Sequence, residues 1–544
     1  MSGKSPAFSR VARDVLVAIL YATPVFVYYA AHFMYRTPAG GEPTGFVVYD
    51  MPYYMANARQ YVEHGFSQLF YANPFDYPVG SPKIYFQPLI YILGLLLAIH
   101  PSTPGLPFVL ICFTATIAAF FILRRLLRLL YPDLSGGLRI ITELSIAWGG
   151  GFLAIAGTLR SLAAGTAIQP LMYDPFNGLW FLNLGRNFIF PTEAIYHMLV
   201  LGLFLSLVAR RHRTAYILLW LVAMSHPYTG LQFAMIAFIW VFLERQFLQS
   251  GEYEWKHVGL AALPLVFVFG YYLFYLPHFP SHLALMRQWT LAWTLDLYPM
   301  LGAYGIVGTL VLYRCRTKKR FLECFSQPFA RFLAIMFVVS FVLANHEFFL
   351  RPRQPIHFTR GYLWTPLALL GMPVLAQVWK RVQDSRLLLG LLATGWLLLI
   401  LSDNATFFAV DMQKTRGIYL TQEQATALSV IDSVANEPLL VSDNLFLSYL
   451  STVYSSARPF VGHLSNTPDV SSRFRVQDTL FSSGLLLEPL RSEKFYVLSD
   501  AHQEKLRADS RFREIRRYPG ISLFVYPSQN ASHSDPRATD IGSH

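Results

Sequence analysis

The sequence predicts an all-α polytopic membrane bundle of about 11–13 transmembrane helices followed by a small α/β domain. Three observations predict it. The 544 residues are 54% hydrophobic and 14% charged, with a mean hydropathy of +0.38, outside the composition of soluble globular chains. Runs that approach or exceed the roughly 20 apolar residues of a spanning helix recur at 15–35, 108–123, 140–156, 194–209, 258–276, 332–344, 361–378 and 387–401. Most of the cations behind the formal net charge of +12 fall in short clusters between those runs.

The clusters set an orientation and exclude a partner class. Arg124-Arg125, Arg210-Arg211-His212-Arg213, the stretch 314–320 and Lys380-Arg381 read as cytoplasmic loops under the positive-inside rule. Nucleic acid is excluded, because tracking phosphates needs a continuous basic face and not islands between apolar runs. Lys4, Arg10 and Arg13 hold the N-terminus in the cytoplasm, so 15–35 exits and the loop 36–86 lies outside. With 210–213, 244–245, 314–320 and 380–386 inside, 387–401 exits again and the chain after Ser402 is extracytoplasmic. One conflict remains. The runs 84–99 and 108–123 cannot both cross fully if Arg124, Arg125 and Arg128 face the cytoplasm, so one is short or re-entrant, or the cluster breaks the rule.

The first apolar run is too long for a secretory signal and lacks a small-x-small cleavage site, so a retained anchor is expected. Cys112, Cys315 and Cys324 lie in apolar or cytoplasmic segments and indicate neither a disulfide framework nor a cysteine metal site. The organisation expected is a membrane module over 1–402, an α/β domain over 403–527 and a disordered polar tail over 528–544. In the α/β domain, Thr421-Gln422-Glu423-Gln424 reads as a capping box opening a helix to about Val434. The runs 439–442, 459–462, 495–499 and 522–526 read as strands.

The candidate chemistry lies in the loops. Asp50 stands in Tyr49-Asp50-Met51-Pro52-Tyr53-Tyr54, just past the first run, where it is either a solvated loop acid or a catalytic base. A helix over 51–65, stopped by Gly65, puts Tyr53, Tyr54 and Asn57 on the face of Asp50. The loop closes through a proline-rich stretch, 77–89, that carries Lys83, Tyr85 and Gln87. These suit a lipid-phosphate or sugar contact, or an interfacial aromatic belt. A second loop holds Arg160, Tyr173-Asp174-Pro175-Phe176-Asn177 and Arg186-Asn187. Asp174 is the candidate to join Asp50 around a divalent ion, and a turn-forming Asp-Pro is the alternative. Glu193 suits a helix start, and His226 interrupts two apolar runs as a cavity residue or a satisfied core histidine. The densest polar group runs from Asn345 to Tyr362 and holds His346, Glu347, Arg351, Arg353, His357 and Arg360. Cations on the side disfavoured for positive charge make an anion site, since arginine's planar fork matches phosphate. The competing reading is snorkelling to lipid headgroups.

Taken in order, these features resemble the GT-C superfamily of integral membrane glycosyltransferases, which includes the protein O-mannosyltransferases and the lipid A aminoarabinose transferases. The resemblance is carried by Asp50 with its juxtamembrane helix, by Gln87-Pro88-Leu89, by the basic loop 351–360 and by the C-terminal domain. Its stretch Arg458-Pro459-Phe460-Val461-Gly462-His463 is similar to tails of bacterial members. The resemblance implies an inverting transfer of a sugar from a polyprenyl-phosphate donor to a protein, lipid or polysaccharide acceptor on the extracytoplasmic face of a bacterial inner membrane. It implies Asp50 as base, Arg353, His357, Arg360 and Lys83 around the donor phosphate, and Tyr53, Tyr54, Asn57, Tyr85, Gln87, His346 and Glu347 along the substrate. No cofactor is expected if arginines neutralise the leaving phosphate. Asp50 with Asp174 would hold a divalent cation if there is one. No second acid follows Asp50 directly, unlike the O-mannosyltransferases, and no Trp-Trp-Asp motif of oligosaccharyltransferases is present. Two alternatives stand beside this: a polyprenyl-sugar flippase, which calls for ionisable residues deep in the spans such as Glu143, and a metal-dependent oligosaccharyltransferase-like enzyme.

Overall fold

Long apolar runs in lipid must satisfy their own backbone, and helices do this within one segment. The computed structural model describes residues 6–76, 81–134, 136–174, 182–248, 253–288, 296–412 and 417–527, with side chains from residue 10 onward. The expectations for Lys4, for 77–80 in the proline-rich stretch, for 175–177 and for the tail 528–544 lie outside the described residues. The chain divides into two compact units. One comprises Met1–Ala31, Val109–Tyr275 and Thr290–Arg416, and the other His32–Phe108, Leu276–Trp289 and Gly417–His544.

Among the described residues, six helices are long and apolar enough to cross a membrane: Arg10–Met34, Leu106–Leu130, Pro191–Val208, Pro227–Gln246, Trp255–His278 and Arg386–Met412. A seventh span results if Lys318–Phe325 and Pro328–Ala344, bent by 99°, act together. These helices make the chain an integral membrane protein, but not every apolar run is a long helix. The run 140–156 breaks at Gly149-Gly150-Gly151 into the helices Gly136–Ala147 and Leu153–Ala163. The run 84–99 yields only Pro88–Ile99, whose 12 residues reach about 18 Å against a hydrocarbon core of about 30 Å. The conflict between 84–99 and 108–123 is thereby resolved: the first is short. The last membrane helix continues past Ser402 to Met412.

In the first unit several buried charges are paired. Arg128 and Arg124 both donate to Asp14, and Arg124 also donates to Glu143, which accepts from Tyr21 Oη at 2.8 Å. Arg331 grips Glu244 through two parallel bonds, Nε to Oε1 at 2.7 Å and Nη2 to Oε2 at 2.9 Å. Glu143, the deep acid that a flippase would use, is thus part of a structural ion-pair chain.

The second unit contains a five-stranded mixed sheet of order β4-β3-β5-β7-β6, besides a short ribbon of β1 (Glu42–Pro43) with β2 (Tyr419–Leu420). Strands β3 (Leu439–Ser442), β4 (Arg458–Pro459) and β5 (Phe495–Ser499) are parallel, while β7 (Ile521–Tyr526) runs antiparallel to β5 and β6 (Arg513–Tyr518). All residues of β3, β5 and β7 are buried, which is why these strands read as apolar runs. Strand β6 is charged, lies at the edge and bulges between Glu514 and Arg516, so its sequence gives no apolar signal. The capping box forms as expected, with Gln424 N donating to Thr421 Oγ1 at 3.2 Å and Thr421 N to Gln424 Oε1 at 3.0 Å. The first-loop helix is Met51–His64, ended by Gly65 at φ 91°. It packs on Pro88–Ile99, where the Tyr61 and Tyr91 rings meet at 5.1 Å.

Candidate active site

Asp50 immediately precedes the helix Met51–His64, with Pro52 in the first turn, and its side chain makes no capping bond. Its carboxylate is therefore not spent on the helix. The carboxylate side chain is 60% exposed, and Oδ1 lies 3.0 Å from Nε2 of His463, whose own side chain is 3% exposed. The backbone on either side of Asp50 is fixed by one tyrosine of the helix Leu445–Tyr454. Tyr449 Oη donates to Tyr49 O at 2.7 Å and accepts from Tyr53 N at 2.8 Å. Tyr49 Oη in turn accepts from Leu464 N at 3.1 Å. Tyr49, Tyr53, Phe75 and Tyr449 surround the His463 ring, and Gly462 fits because a Cβ there would stand 2.3 Å from Phe75. Burial pushes the Tyr53 hydroxyl up to about 12 and raises that of Tyr49, so both stay protonated. That leaves the Asp50 carboxylate as the group suited to take a proton.

The other residues expected in this region are placed as follows. Tyr54 is half-buried beside the Tyr53 ring, and Asn57 is fully buried within the helix packing. Lys83 is exposed and donates to Gln68 Oε1 at 2.7 Å. Tyr85 pairs in an isolated bridge with Tyr71 and its hydroxyl meets His282 Nδ1 at 3.0 Å. Burial lowers His282 to about 4, so that imidazole is neutral. Gln87 stands just before the helix Pro88–Ile99 without a side-chain cap.

The basic loop belongs to the first unit and is more internally paired than its charges indicate. Arg360 is buried and donates to Glu193, in the first turn of Pro191–Val208, and to His357 Nδ1. Gly361, at φ 78°, fastens this turn, since a Cβ would stand 2.8 Å from the Leu184 backbone. With Nδ1 accepting, the His357 proton sits on Nε2 and goes to Gln354 Oε1 at 2.5 Å. The ring stacks flat on Tyr228 at 4.7 Å. Burial, then Arg360 and His226, hold His357 well below the ordinary imidazole range. His357 is therefore a neutral acceptor for Arg360 and not a second cation. His346 also has both nitrogens engaged, Nε2 accepting from Arg353 N at 3.0 Å and Nδ1 donating to Leu343 O at 2.6 Å, so it shapes the loop. Glu347 is half-buried in the 3-10 turn His346–Phe348, and Arg353 is half-buried. His226 caps Pro227–Gln246 by accepting from Thr229 N, which makes it the satisfied histidine of the two readings.

Asp174 is buried with Arg186, Nη1 to Oδ2 at 2.5 Å, and Arg186 also donates from Nε to Asn404 Oδ1 at 2.9 Å. Asp50 and Asp174, the two acids considered for a divalent ion, each face a nitrogen donor, His463 and Arg186. Among the described residues no three His, Cys, Asp or Glu converge as a metal-binding set.

Two partners of the Asp50 segment escaped sequence reasoning. His463 sits at the end of the stretch 458–463, whose composition marks no role for it. Tyr449 sits in an apolar helix where nothing but the fold reveals that its hydroxyl reaches two backbone groups.

No protein-family model and no curated protein matches the chain. Solved structures do. ArnT from Cupriavidus metallidurans, bound to undecaprenyl phosphate, aligns with a TM-score of 0.51 and 11% identity over 98% of this chain and 100% of that one. The apo oligosaccharyltransferase from Archaeoglobus fulgidus aligns with a TM-score of 0.54 and 14% identity over 90% of this chain and 69% of that one. The same enzyme tethered to an acceptor peptide with an NVT sequon gives 0.52, also at 14% identity and the same coverage. At these identities the likeness is one of architecture. The chain has the GT-C fold, the one its sequence resembles.

Proposed function

We propose that the chain is an inverting membrane glycosyltransferase that moves a single hexosyl or pentosyl unit from a polyprenyl-phosphate donor to an acceptor hydroxyl on the extracytoplasmic face. The observation that carries this reading is Asp50: an exposed carboxylate without a capping role, on a helix start held by Tyr449 and His463, in a chain with the GT-C fold. Asp50 takes the acceptor hydroxyl proton as that oxygen attacks the anomeric carbon, and the lipid phosphate leaves from the opposite face. The undecaprenyl phosphate in ArnT supports a polyprenyl carrier here too. Arginine near the leaving phosphate supplies the charge that stabilises it. Arg353 is assigned to this role, while Arg360 is held in the Glu193 pair.

The test is release or transfer of sugar by detergent-purified protein from a panel of synthetic undecaprenyl-phosphate hexoses and pentoses. Transfer with cleavage of the sugar–phosphate bond is expected. Movement of intact lipid across liposomes without cleavage would replace this reading with the flippase. Arg353→Ala is expected to raise the donor KM roughly ten- to a hundredfold, the worth of a charge-assisted phosphate contact. Lysine should restore only part of it, because it returns the charge without the fork. Unchanged donor affinity in both variants removes Arg353 from the donor site.

A further inference from the structure

A carboxylate at an exposed helix start turns freely about two bonds unless something holds it, and a general base acts only when its lone pair points at the proton it takes. Asp50 lacks the usual restraint, since it does not cap its helix. His463 supplies another. Its Nδ1 accepts from Ser465 N at 3.1 Å and from the Asn466 side-chain amide at 3.1 Å. A nitrogen that accepts carries no proton, so in the neutral ring the proton is on Nε2, which donates to Asp50 Oδ1 at 3.0 Å. The loop carrying the histidine is tied on both sides: Gly462 N donates to Thr467 Oγ1 at 3.2 Å and Asn73 Nδ2 to Asn466 O at 2.8 Å. The ring lies among four aromatic neighbours, at 4.8 Å from Tyr49, 5.2 Å from Tyr449, 5.4 Å from Tyr53 and 6.2 Å from Phe75.

We propose that His463 is a positioning residue that aims the Asp50 carboxylate, donating to Oδ1 so that Oδ2 is presented to the acceptor hydroxyl. The proposal rests on the glycosyltransferase reading and adds to it a residue from the C-terminal segment. His463 is too buried to meet an acceptor itself, so it acts through Asp50. Its tautomer is set by the Ser465 and Asn466 donors and needs no charge on the ring. This is the base–orienter relation of a nucleophile's histidine and its carboxylate with the residue types exchanged.

The experiment compares His463→Phe, which keeps a flat ring and loses the N–H, with His463→Gln, whose amide N–H reaches the Nε2 position. In the purified full chain, turnover on the undecaprenyl-phosphate sugar panel is expected to fall about ten- to a hundredfold in the phenylalanine variant, with donor KM unchanged. Glutamine should recover most of the loss. Combined with Asp50→Asn, the phenylalanine change should cost nothing more, because the group it aims is gone. Wild-type turnover in His463→Phe, or a loss that persists undiminished in the Asp50→Asn background, overturns the proposal and leaves the histidine a packing residue. A wild-type protein that cleaves no member of the panel removes the glycosyltransferase reading on its own. The pair is then judged by ¹⁵N spectra of histidine-labelled protein, in which Asp50→Asn must shift one Nε2–H resonance. Absence of that shift overturns the pairing itself.

Discussion

Asp50→Asn is expected to lower turnover by about 10²–10⁴-fold while leaving donor affinity and thermal stability near wild type. The substitution is close to isosteric. An asparagine carbonyl still accepts from His463 Nε2, and the Tyr449 bonds to Tyr49 O and Tyr53 N involve only backbone. The asparagine amide, however, has no useful basicity, so the proton of the attacking hydroxyl has no acceptor at the moment of displacement. Donor binding does not depend on this group. A titration of the variant with donor should superimpose on wild type while kcat collapses, the pattern of an interaction made only in the transition state. Near-normal turnover would dismiss Asp50 from the mechanism and make it the solvated loop acid of the alternative reading.

Arg360→Ala is expected to cost about 3–5 kcal/mol of stability, because it leaves Glu193 buried and without its cation. Arg360 and Glu193 are both almost entirely buried, so little solvent screens the pair and little water replaces the lost partner. His357 loses its donor to Nδ1 in the same step. Thermal unfolding of the detergent-purified variant is the measurement, read as the shift in apparent Tm. Removing the whole pair distinguishes the mechanism: Arg360→Met with Glu193→Gln has no stranded charge and should regain much of the loss. An alanine variant that melts like wild type and only binds donor more weakly would return Arg360 to direct contact with the phosphate.

The two expectations separate what the sequence carries from what it does not. Composition and run length give the membrane bundle, and the local rules hold where the partner is near. The helix at 51–65 ends at Gly65, and the capping box at Thr421 and Gln424 forms with both bonds. Periodicity misleads where three glycines interrupt an apolar run at 149–151, and where a charged edge strand, Arg513–Tyr518, carries no alternation. The charge reading of the loop 345–362 misses one partner for a related reason. The arginine-rich stretch looks unneutralised along the chain, yet Arg360 meets Glu193 from 167 residues away. Asp174 and Arg186 are only twelve residues apart, but an Asp-Pro turn and an ion pair have the same sequence signature. Asp50 was legible as a candidate because it is polar in a conspicuous place. The histidine beside it was not, because no local pattern links positions separated by 413 residues.

That separation has a consequence in time. Chains grow from the N-terminus at about 5–20 residues per second, so about 20–80 s pass between the emergence of Asp50 and that of His463. Through that interval the segment His32–Phe108 exists without Gly417–His544, the part of its own unit that supplies Tyr449 and the loop at 462–467. The nascent chain therefore carries Asp50 without its His463 partner until the loop at 462–467 has been made.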